Sequence, residues 1–371
     1  MRIVYVVTTL EMGGAERQAI ALANRIAERG HTVAVLVLKP RAQEEWPAAL
    51  QVLHLDMTRT AAGVLAGLAK GRRFLREFRP DVVHSHTFHA NLIARVLKVT
   101  APVPIVFSTV HNVYEGSWTR MLAYRLTDGL SLRTIAVSEA AALRFMRLKA
   151  VPERRCLVIS NGIDTSEFVP SAERRARVRD EMGADQMFIW LAAGRIVPAK
   201  NYPNLLRAFA RVRAIRRDAQ LWVAGAGEDA EFTKASALAR ELGVGDAVRW
   251  LGLRRDMPAL FDAADAFVLS SAWEGMPLVV GEAMAMEMPV VATDVGGARE
   301  LVGDAGAMAP FKNPDALAIA MLGIMQMSQE DRAAMGRAAR VRIQTGFNMD
   351  AKADEWEALY RTAPGNQKKP A

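Results

Sequence analysis

With 371 residues the chain is longer than one ordinary domain of roughly 100–200 residues, so two domains are expected. Its 51% hydrophobic and 24% charged composition is that of a globular enzyme, and no apolar run approaches the roughly 18 residues that a membrane span needs. The net charge of +8 lies entirely in the first half: residues 1–168 hold 22 Lys/Arg against 14 Asp/Glu, and residues 169–371 hold 26 of each. No nucleic-acid-binding motif accompanies that excess, which argues against a nucleic-acid partner.

The first stretch, residues 1–7, reads as a short strand without signal-peptide anatomy, so a cytoplasmic protein is expected. Gly13-Gly14-Ala15-Glu16-Arg17 then opens a helix that runs to about Glu28 and closes at Gly30, and residues 31–38 form the next strand. This is a βαβ unit. Further strands are expected over residues 52–55, 81–85, 105–109 and 134–137, with helices between them, the period of a doubly wound parallel sheet.

One of those helices carries Lys70, Arg72, Arg73, Arg76 and Arg79 together with Leu65, Leu68, Phe74, Leu75 and Phe78. It reads either as a solvated face or as a monotopic helix that docks on anionic lipid. Trp118, Arg120, Met121, Leu122, Tyr124 and Arg125 form a second amphipathic candidate, whose apolar members are expected in the core. The single cysteine, Cys156, excludes an internal disulfide and a cysteine-based zinc site, and reads as a small buried hydrophobe.

A second cycle starts after Asn161-Gly162-Ile163-Asp164 and the Arg-rich stretch 174–179. Strands are expected over residues 188–193, 221–224, 248–251, 266–269 and 289–292. A helix near 350–361 comes after the completed second sheet, free to pack on either domain, and the polar tail Gly365 to Ala371 is expected to be disordered.

The residues suited to chemistry sit after strands. The run 266–269 leads into Ser270-Ser271-Ala272-Trp273-Glu274-Gly275-Met276-Pro277, with Pro277 as the expected first helical position. The first-turn amides of Leu278, Val279 and Val280 would then be unpaired and would seat a phosphate between two carboxylates, Glu274 and Glu282. Gly194-Arg195 and Lys200-Asn201 come after the first strand of the second domain, so Arg195 and Lys200 face the crevice beyond the strand ends, where two cations suit a diphosphate leaving group.

His84, His86 and His89 invite a metal reading, but no Asp, Glu or Cys stands at ligand spacing and no Asp-x-Asp pair exists, so no metal is expected. His111 ends a strand and could reach a ligand. A glycosidase acid and nucleophile pair is disfavoured, because Glu274 and Glu282 need not face each other. The absence of Gly-x-Gly-x-x-Gly counts against a nicotinamide enzyme.

Together, Gly13-Gly14-Ala15-Glu16-Arg17, Thr109-Val110-His111-Asn112, Val137-Ser138-Glu139, Asn161-Gly162-Ile163-Asp164, Gly194-Arg195 with Lys200-Asn201, and the Glu274 to Glu282 block resemble the retaining nucleotide-sugar glycosyltransferases of family four. The likeness covers nearly the whole chain. It implies an α/β protein of two Rossmann-like domains facing each other across a cleft, the GT-B fold. The first, residues 1–167, would bind acceptor, the second, 168–349, would bind the nucleotide sugar, and a helix at about 350–362 would return to the first.

It also implies roles. Glu274 and His111 would act at the donor sugar, Arg195, Lys200, Leu278, Val279 and Gly14 would hold the diphosphate, and Glu282 would bind the ribose. Gly13 and Gly14 would let a phosphate or acceptor approach the first domain.

The donor would be a nucleoside-diphosphate sugar, uridine before guanosine, with no cofactor and no metal. The acceptor would be a lipid-linked glycan or polysaccharide of bacterial surface glycan synthesis, at the inner face of the membrane. A sugar-nucleotide epimerase of the same architecture and a non-catalytic nucleotide-sugar binding protein remain alternatives.

Overall fold

The computed structural model describes residues 1–11, 13–42, 50–184 and 186–364. The chain forms two compact units, one of Met1–Gly162 with Met349–Ala371 and one of Ile163–Asn348. The break thus falls five residues before the expected 167/168. The tail expected to be disordered lies outside the described residues.

The first unit runs β1 (Arg2–Val7), α1 (Gly14–Glu28), β2 (Thr32–Val37), β3 (Gln51–His54), α2 (Ala61–Phe78), β4 (Val82–His86), α3 (Phe88–Thr100), β5 (Ile105–Val110), α4 (Trp118–Thr127), β6 (Arg133–Ala136), α5 (Glu139–Arg147) and β7 (Cys156–Val158). Its strands form a parallel sheet in the order β3-β2-β1-β4-β5-β6-β7. Residues alternate faces along a strand, and β1 is buried on both. Ile3, Tyr5 and Val7 pack into the layer of α1, whereas Val4 and Val6 pack against α2 and α3. Because both faces are covered, β1 and β2 read as nearly unbroken apolar runs rather than alternating ones. Thr60 and Ser138 cap α2 and α5 by accepting from the amides of Gly63 and Ala141.

The second unit runs α6 (Ala172–Glu181), β8 (Phe188–Ala193), α7 (Tyr202–Ile215), β9 (Ala219–Ala224), α8 (Asp229–Glu241), β10 (Val248–Gly252), α9 (Met257–Ala263), β11 (Ala266–Leu269), α10 (Leu278–Ala285), β12 (Val290–Thr293), α11 (Ala298–Val302), β13 (Ala307–Ala309), α12 (Pro314–Gln326) and α13 (Gln329–Gly346). Its parallel sheet has the order β10-β9-β8-β11-β12-β13.

The last helix, α14 (Met349–Thr362), belongs to the first unit. Trp356 and Tyr360 join the cluster of β1 and α1, while Asp350 pairs with Arg25 at 3.1 Å and Asp354 with Arg29 at 3.0 Å. The ambiguity left by sequence is settled by one apolar and one acidic face on the same helix, each with its counterpart on α1.

Two strands went unexpected, β7 and β13. Each has three residues, too few to show a period. Cys156 starts β7 and is half-buried rather than buried; its thiol is pushed up to about 11, first by burial and then by Asp128 and Glu139.

Candidate active site

In each sheet the strand order reverses once, and ligands of open α/β sheets lie beyond the carboxyl ends at that point. In the second unit the reversal falls between β8 and β11, which are hydrogen-bonded neighbours. The loops that leave these two strands carry Arg195 and Lys200 on one side and Glu274 on the other. They are stitched together by main-chain carbonyls: the Ala272 amide donates to Ala199 at 2.7 Å, and the Ser270 hydroxyl donates to the Lys200 carbonyl at 2.9 Å.

Above that seam Lys200 Nζ meets Glu274 Oε1 at 2.6 Å, and the Ser271 hydroxyl donates to the same oxygen at 2.7 Å. Gly194 makes room for the lysine. Its φ of +144° is one that side chains rarely adopt, and a Cβ there would meet Lys200 Cε at 2.8 Å. The Tyr202 hydroxyl donates to the Gly194 carbonyl at 2.9 Å, and burial, with the Glu274 charge behind it, pushes that phenol above its ordinary range. Arg195, by contrast, is exposed and pairs with no described residue. Only one of the two expected cations is therefore fixed in place.

The helix after Glu274 starts one residue later than expected, with Pro277 as its cap and Leu278 as its first residue. Pro277 lacks an N–H and its ring sets φ at −77°, so it suits a cap as well as a first position. Val280 does not belong to the open set, because its amide donates to the Pro277 carbonyl at 3.1 Å. Leu278 and Val279 remain at the positive end of the helix. Glu282, one turn on, is buried within α10.

Sequence reading overlooked Gly296. Its φ is +53°, and a Cβ there would sit on the Glu274 carbonyl oxygen, while the Gly297 amide donates to the Gly275 carbonyl at 2.7 Å. The loop after β12 thus supports the main chain that carries Glu274. The paired glycines after a strand were the available signal.

In the first unit the reversal lies between β1 and β4. Thr8 and Thr87, which come directly after these strands, join their hydroxyls at 2.8 Å. Thr87 has φ +73°, an outlier for a β-branched residue, of a kind that costs roughly 1–3 kcal/mol and clusters at functional sites. Gly13 caps α1 at φ −148°, a conformation open to other residues, so its backbone does not demand glycine; Gly14 is the first helical residue.

His111 comes directly after β5, and its Nε2 lies 2.9 Å from Nδ1 of His86 at the end of β4. Burial lowers the His111 pKa to about 4, and burial with the neighbouring His84 and His111 holds His86 well below its usual value. Both rings are therefore neutral at pH 7. Tyr5 stacks on His86 at 5.7 Å and His84 lies 4.1 Å from it, so the ring that holds His111 is itself held.

His84 spends Nδ1 on the Tyr360 hydroxyl at 2.6 Å and Nε2 on Thr109 at 2.7 Å, and His89 is exposed on α3. Among the described residues no three His, Cys, Asp or Glu side chains converge as a metal site. Four residues beyond His111, burial raises the Glu115 carboxyl to about 7, and Tyr124 donates to it at 3.4 Å.

The basic helix α2 turns Leu75 and Phe78 into the core and leaves Leu68 and Phe74 partly covered, so its charged face has no apolar stripe beside it apart from Leu65. Lys70 is tied to Asp56 at 2.6 Å; Arg72, Arg73, Arg76 and Arg79 are exposed. In α4 Tyr124 is fully buried and Met121 packs against the same cluster, as expected, whereas Trp118 and Leu122 are exposed, which corrects the expectation that they too belong to the core.

Two family descriptions match the chain in succession: "Glycosyltransferase Family 4" over residues 12–167 and "Glycosyl transferases group 1" over residues 175–342. The chain belongs to glycosyltransferase family four. It is 25% identical to the UDP-Gal:alpha-D-GlcNAc-diphosphoundecaprenol alpha-1,3-galactosyltransferase of Escherichia coli over 78% of this chain and 77% of that one. It is 28% identical to the D-inositol 3-phosphate glycosyltransferase of Thermobispora bispora over 96% of this chain and 91% of that one.

The fold matches that of Anabaena HepE, solved in complex with UDP and glucose, with a TM-score of 0.86, 22% identity and coverage of 98% and 100% of the two chains. Sucrose-phosphate synthase from Thermosynechococcus elongatus matches with a TM-score of 0.85, 21% identity and coverage of 97% and 98%. The glycosyltransferase thus has the GT-B fold, and its reaction class is transfer from a sugar-nucleotide donor. No described helix is long and apolar enough to cross a membrane.

Proposed function

We propose that this glycosyltransferase moves a hexose or N-acetylhexosamine, with retention of configuration and without a metal, from a uridine-diphosphate sugar to a lipid-linked or polysaccharide acceptor in bacterial surface glycan synthesis. The observation that carries the reading is the Lys200, Glu274 and Ser271 cluster at the switch point of the second sheet, beside the open N-terminus of α10 and the buried Glu282.

In this reading Glu282 takes the ribose hydroxyls. Lys200, Arg195 and the amides of Leu278 and Val279 take the diphosphate, where preformed donors and a cation stabilise the charge that builds on the leaving group. Displaced by the phosphate from its contact with Lys200, Glu274 turns to the sugar. His111, neutral and anchored by His86, offers its other ring nitrogen to a sugar hydroxyl, and Gly13 and Gly14 open the first unit to acceptor or phosphate. Transfer then proceeds by front-face attack, with the diphosphate oxygen accepting the acceptor proton, so no enzyme nucleophile is required.

The choice of uridine and of a lipid-linked acceptor draws on the Escherichia coli relative and the HepE complex. Contact with an anionic membrane, to which Arg72, Arg73, Arg76 and Arg79 would add attraction, fits such an acceptor.

Thermal shift with a panel of nucleotide sugars tests the donor, because a ligand that binds only the folded state raises its melting temperature. A uridine-diphosphate sugar should give the largest shift. A larger shift with a guanosine sugar would overturn the base, and turnover to an epimer without acceptor would overturn the transferase reading.

A further inference from the structure

The first unit exposes an apolar stripe on α4. Trp118, Leu122 and Leu126 stand four residues apart and are 74%, 41% and 76% exposed. At 1.5 Å per residue the stripe is about 12 Å long, a continuous apolar edge rather than scattered single residues. Helical spacing normally hides such a face; here the opposite face does that work, burying Tyr124 against Phe145 and Asn91.

The surroundings of the stripe are basic. At the C-terminal end of α4, Arg125 borders a pocket of about 650 Å³ that reaches α5 and is lined by Leu143, Met146, Arg147, Lys149 and Val151. Arg144, Arg147 and Lys149 are exposed there, as are Leu143 and Leu148. The acidic groups at the pocket do little to offset them. Asp128 is buried and committed to Arg155 at 3.2 Å and to Thr134 at 3.0 Å, which leaves Glu153. An apolar ridge beside exposed cations complements a surface that has hydrocarbon beneath phosphate.

We propose that the α4–α5 face of the first unit is a membrane-docking surface, in which Trp118, Leu122 and Leu126 enter the headgroup boundary of an anionic bilayer and Arg125, Arg147 and Lys149 hold lipid phosphates at the pocket. This assigns insertion to α4 rather than to the basic helix α2, which presents charge without an apolar ridge. The stripe starts just beyond the loop that carries His111, so docking would place a bilayer beside that edge of the sheet. The proposal rests on exposure and charge, and its failure would leave the transfer reaction itself untouched.

The test is flotation of the full chain with vesicles of phosphatidylcholine, alone or mixed with phosphatidylglycerol. Binding is expected only to the mixed vesicles, with quenching of tryptophan fluorescence by bromine-labelled lipid that Trp118→Phe largely removes. The triple variant Trp118→Ser, Leu122→Gln, Leu126→Gln should lose at least about tenfold in partitioning at an unchanged melting temperature, since all three side chains are exposed. Arg125→Glu, Arg147→Glu and Lys149→Glu together should do the same, and Arg72→Glu, Arg73→Glu and Arg76→Glu less.

Absence of binding to the mixed vesicles would overturn the proposal. So would partitioning that survives both α4–α5 variants, or a dimer in solution that the triple variant splits, which would make the stripe an interface between two copies.

Discussion

Replacing Glu274 by Ala separates the two roles assigned to the loop after β11. In the resting structure Glu274 Oε1 receives both Lys200 and Ser271, with the lysine and glutamate side chains only 19% and 15% exposed. An exposed pair is worth roughly 0–1 kcal/mol, and breaking a fully buried one costs about 3–5 kcal/mol. This pair lies between, so removal of the carboxylate should destabilise the second unit by about 2 kcal/mol. For a unit of this size that is a fall in melting temperature of about 4–8 °C.

The same substitution frees Lys200 for phosphate. If the resting pair competes with the diphosphate for about 1 kcal/mol, uridine diphosphate should bind Glu274→Ala about fivefold more tightly than the native chain. Turnover should fall by about 10²–10³, the scale on which loss of one preorganised electrostatic contact is felt. Lys200→Ala should instead weaken uridine diphosphate by about tenfold or more, the lost charged hydrogen bond being worth about 1.5–3 kcal/mol. Isothermal titration calorimetry on the three proteins reads the affinities, and a turnover assay the rest. Weaker binding of uridine diphosphate by Glu274→Ala would refute the competition, and unchanged turnover would remove Glu274 from the reaction.

Glu282→Ala should weaken uridine diphosphate binding by about tenfold, a lost charged hydrogen bond, and equal affinity by calorimetry would refute its ribose role. Gly296→Ala should lower the melting temperature and the turnover together, because a Cβ there collides with the Glu274 carbonyl at a positive φ, with a cost of about 2 kcal/mol or more; a variant as stable and active as the native chain would contradict the support assigned to that loop.

The first unit should respond to pH in two opposed ways. His111, with a folded pKa lowered to about 4 from 6.5, contributes stability that is present above about pH 6.5 and lost as pH falls toward 4. Glu115, raised from 4.5 to about 7, keeps its proton in the folded form, so its contribution is greatest below pH 4.5 and is lost as pH rises through 7. Melting scans should show Glu115→Gln gaining on the native chain at pH 8 relative to pH 5; a constant difference would mean that the carboxyl titrates normally.

The sheets were readable because a buried parallel strand is a short apolar run between helices, and β8 and β11 came out with the expected bounds. The loops after them could be placed for the same reason, since a residue that comes directly after a strand stands at the carboxyl edge. What could not be read was pairing across the fold. Nothing near Lys200 in sequence announces Glu274 seventy-four residues on, and nothing near His111 announces His86. The burial of α4 was misjudged for a related reason: amphipathic spacing says that a helix has two faces but not which one meets the sheet, and in α4 the second face is apolar too. Gly296 was legible only as a glycine pair, and its meaning lay in a main-chain approach that no local pattern encodes.

The most direct test is product analysis after incubating the chain with a uridine-diphosphate α-sugar, a lipid-linked glycan acceptor and a metal chelator. One uridine diphosphate should be released per sugar transferred, and the product should be α-linked, seen by the small anomeric coupling in its proton NMR spectrum. A β-linked product, a requirement for added metal, or conversion of the donor sugar without acceptor would contradict retaining, metal-independent transfer.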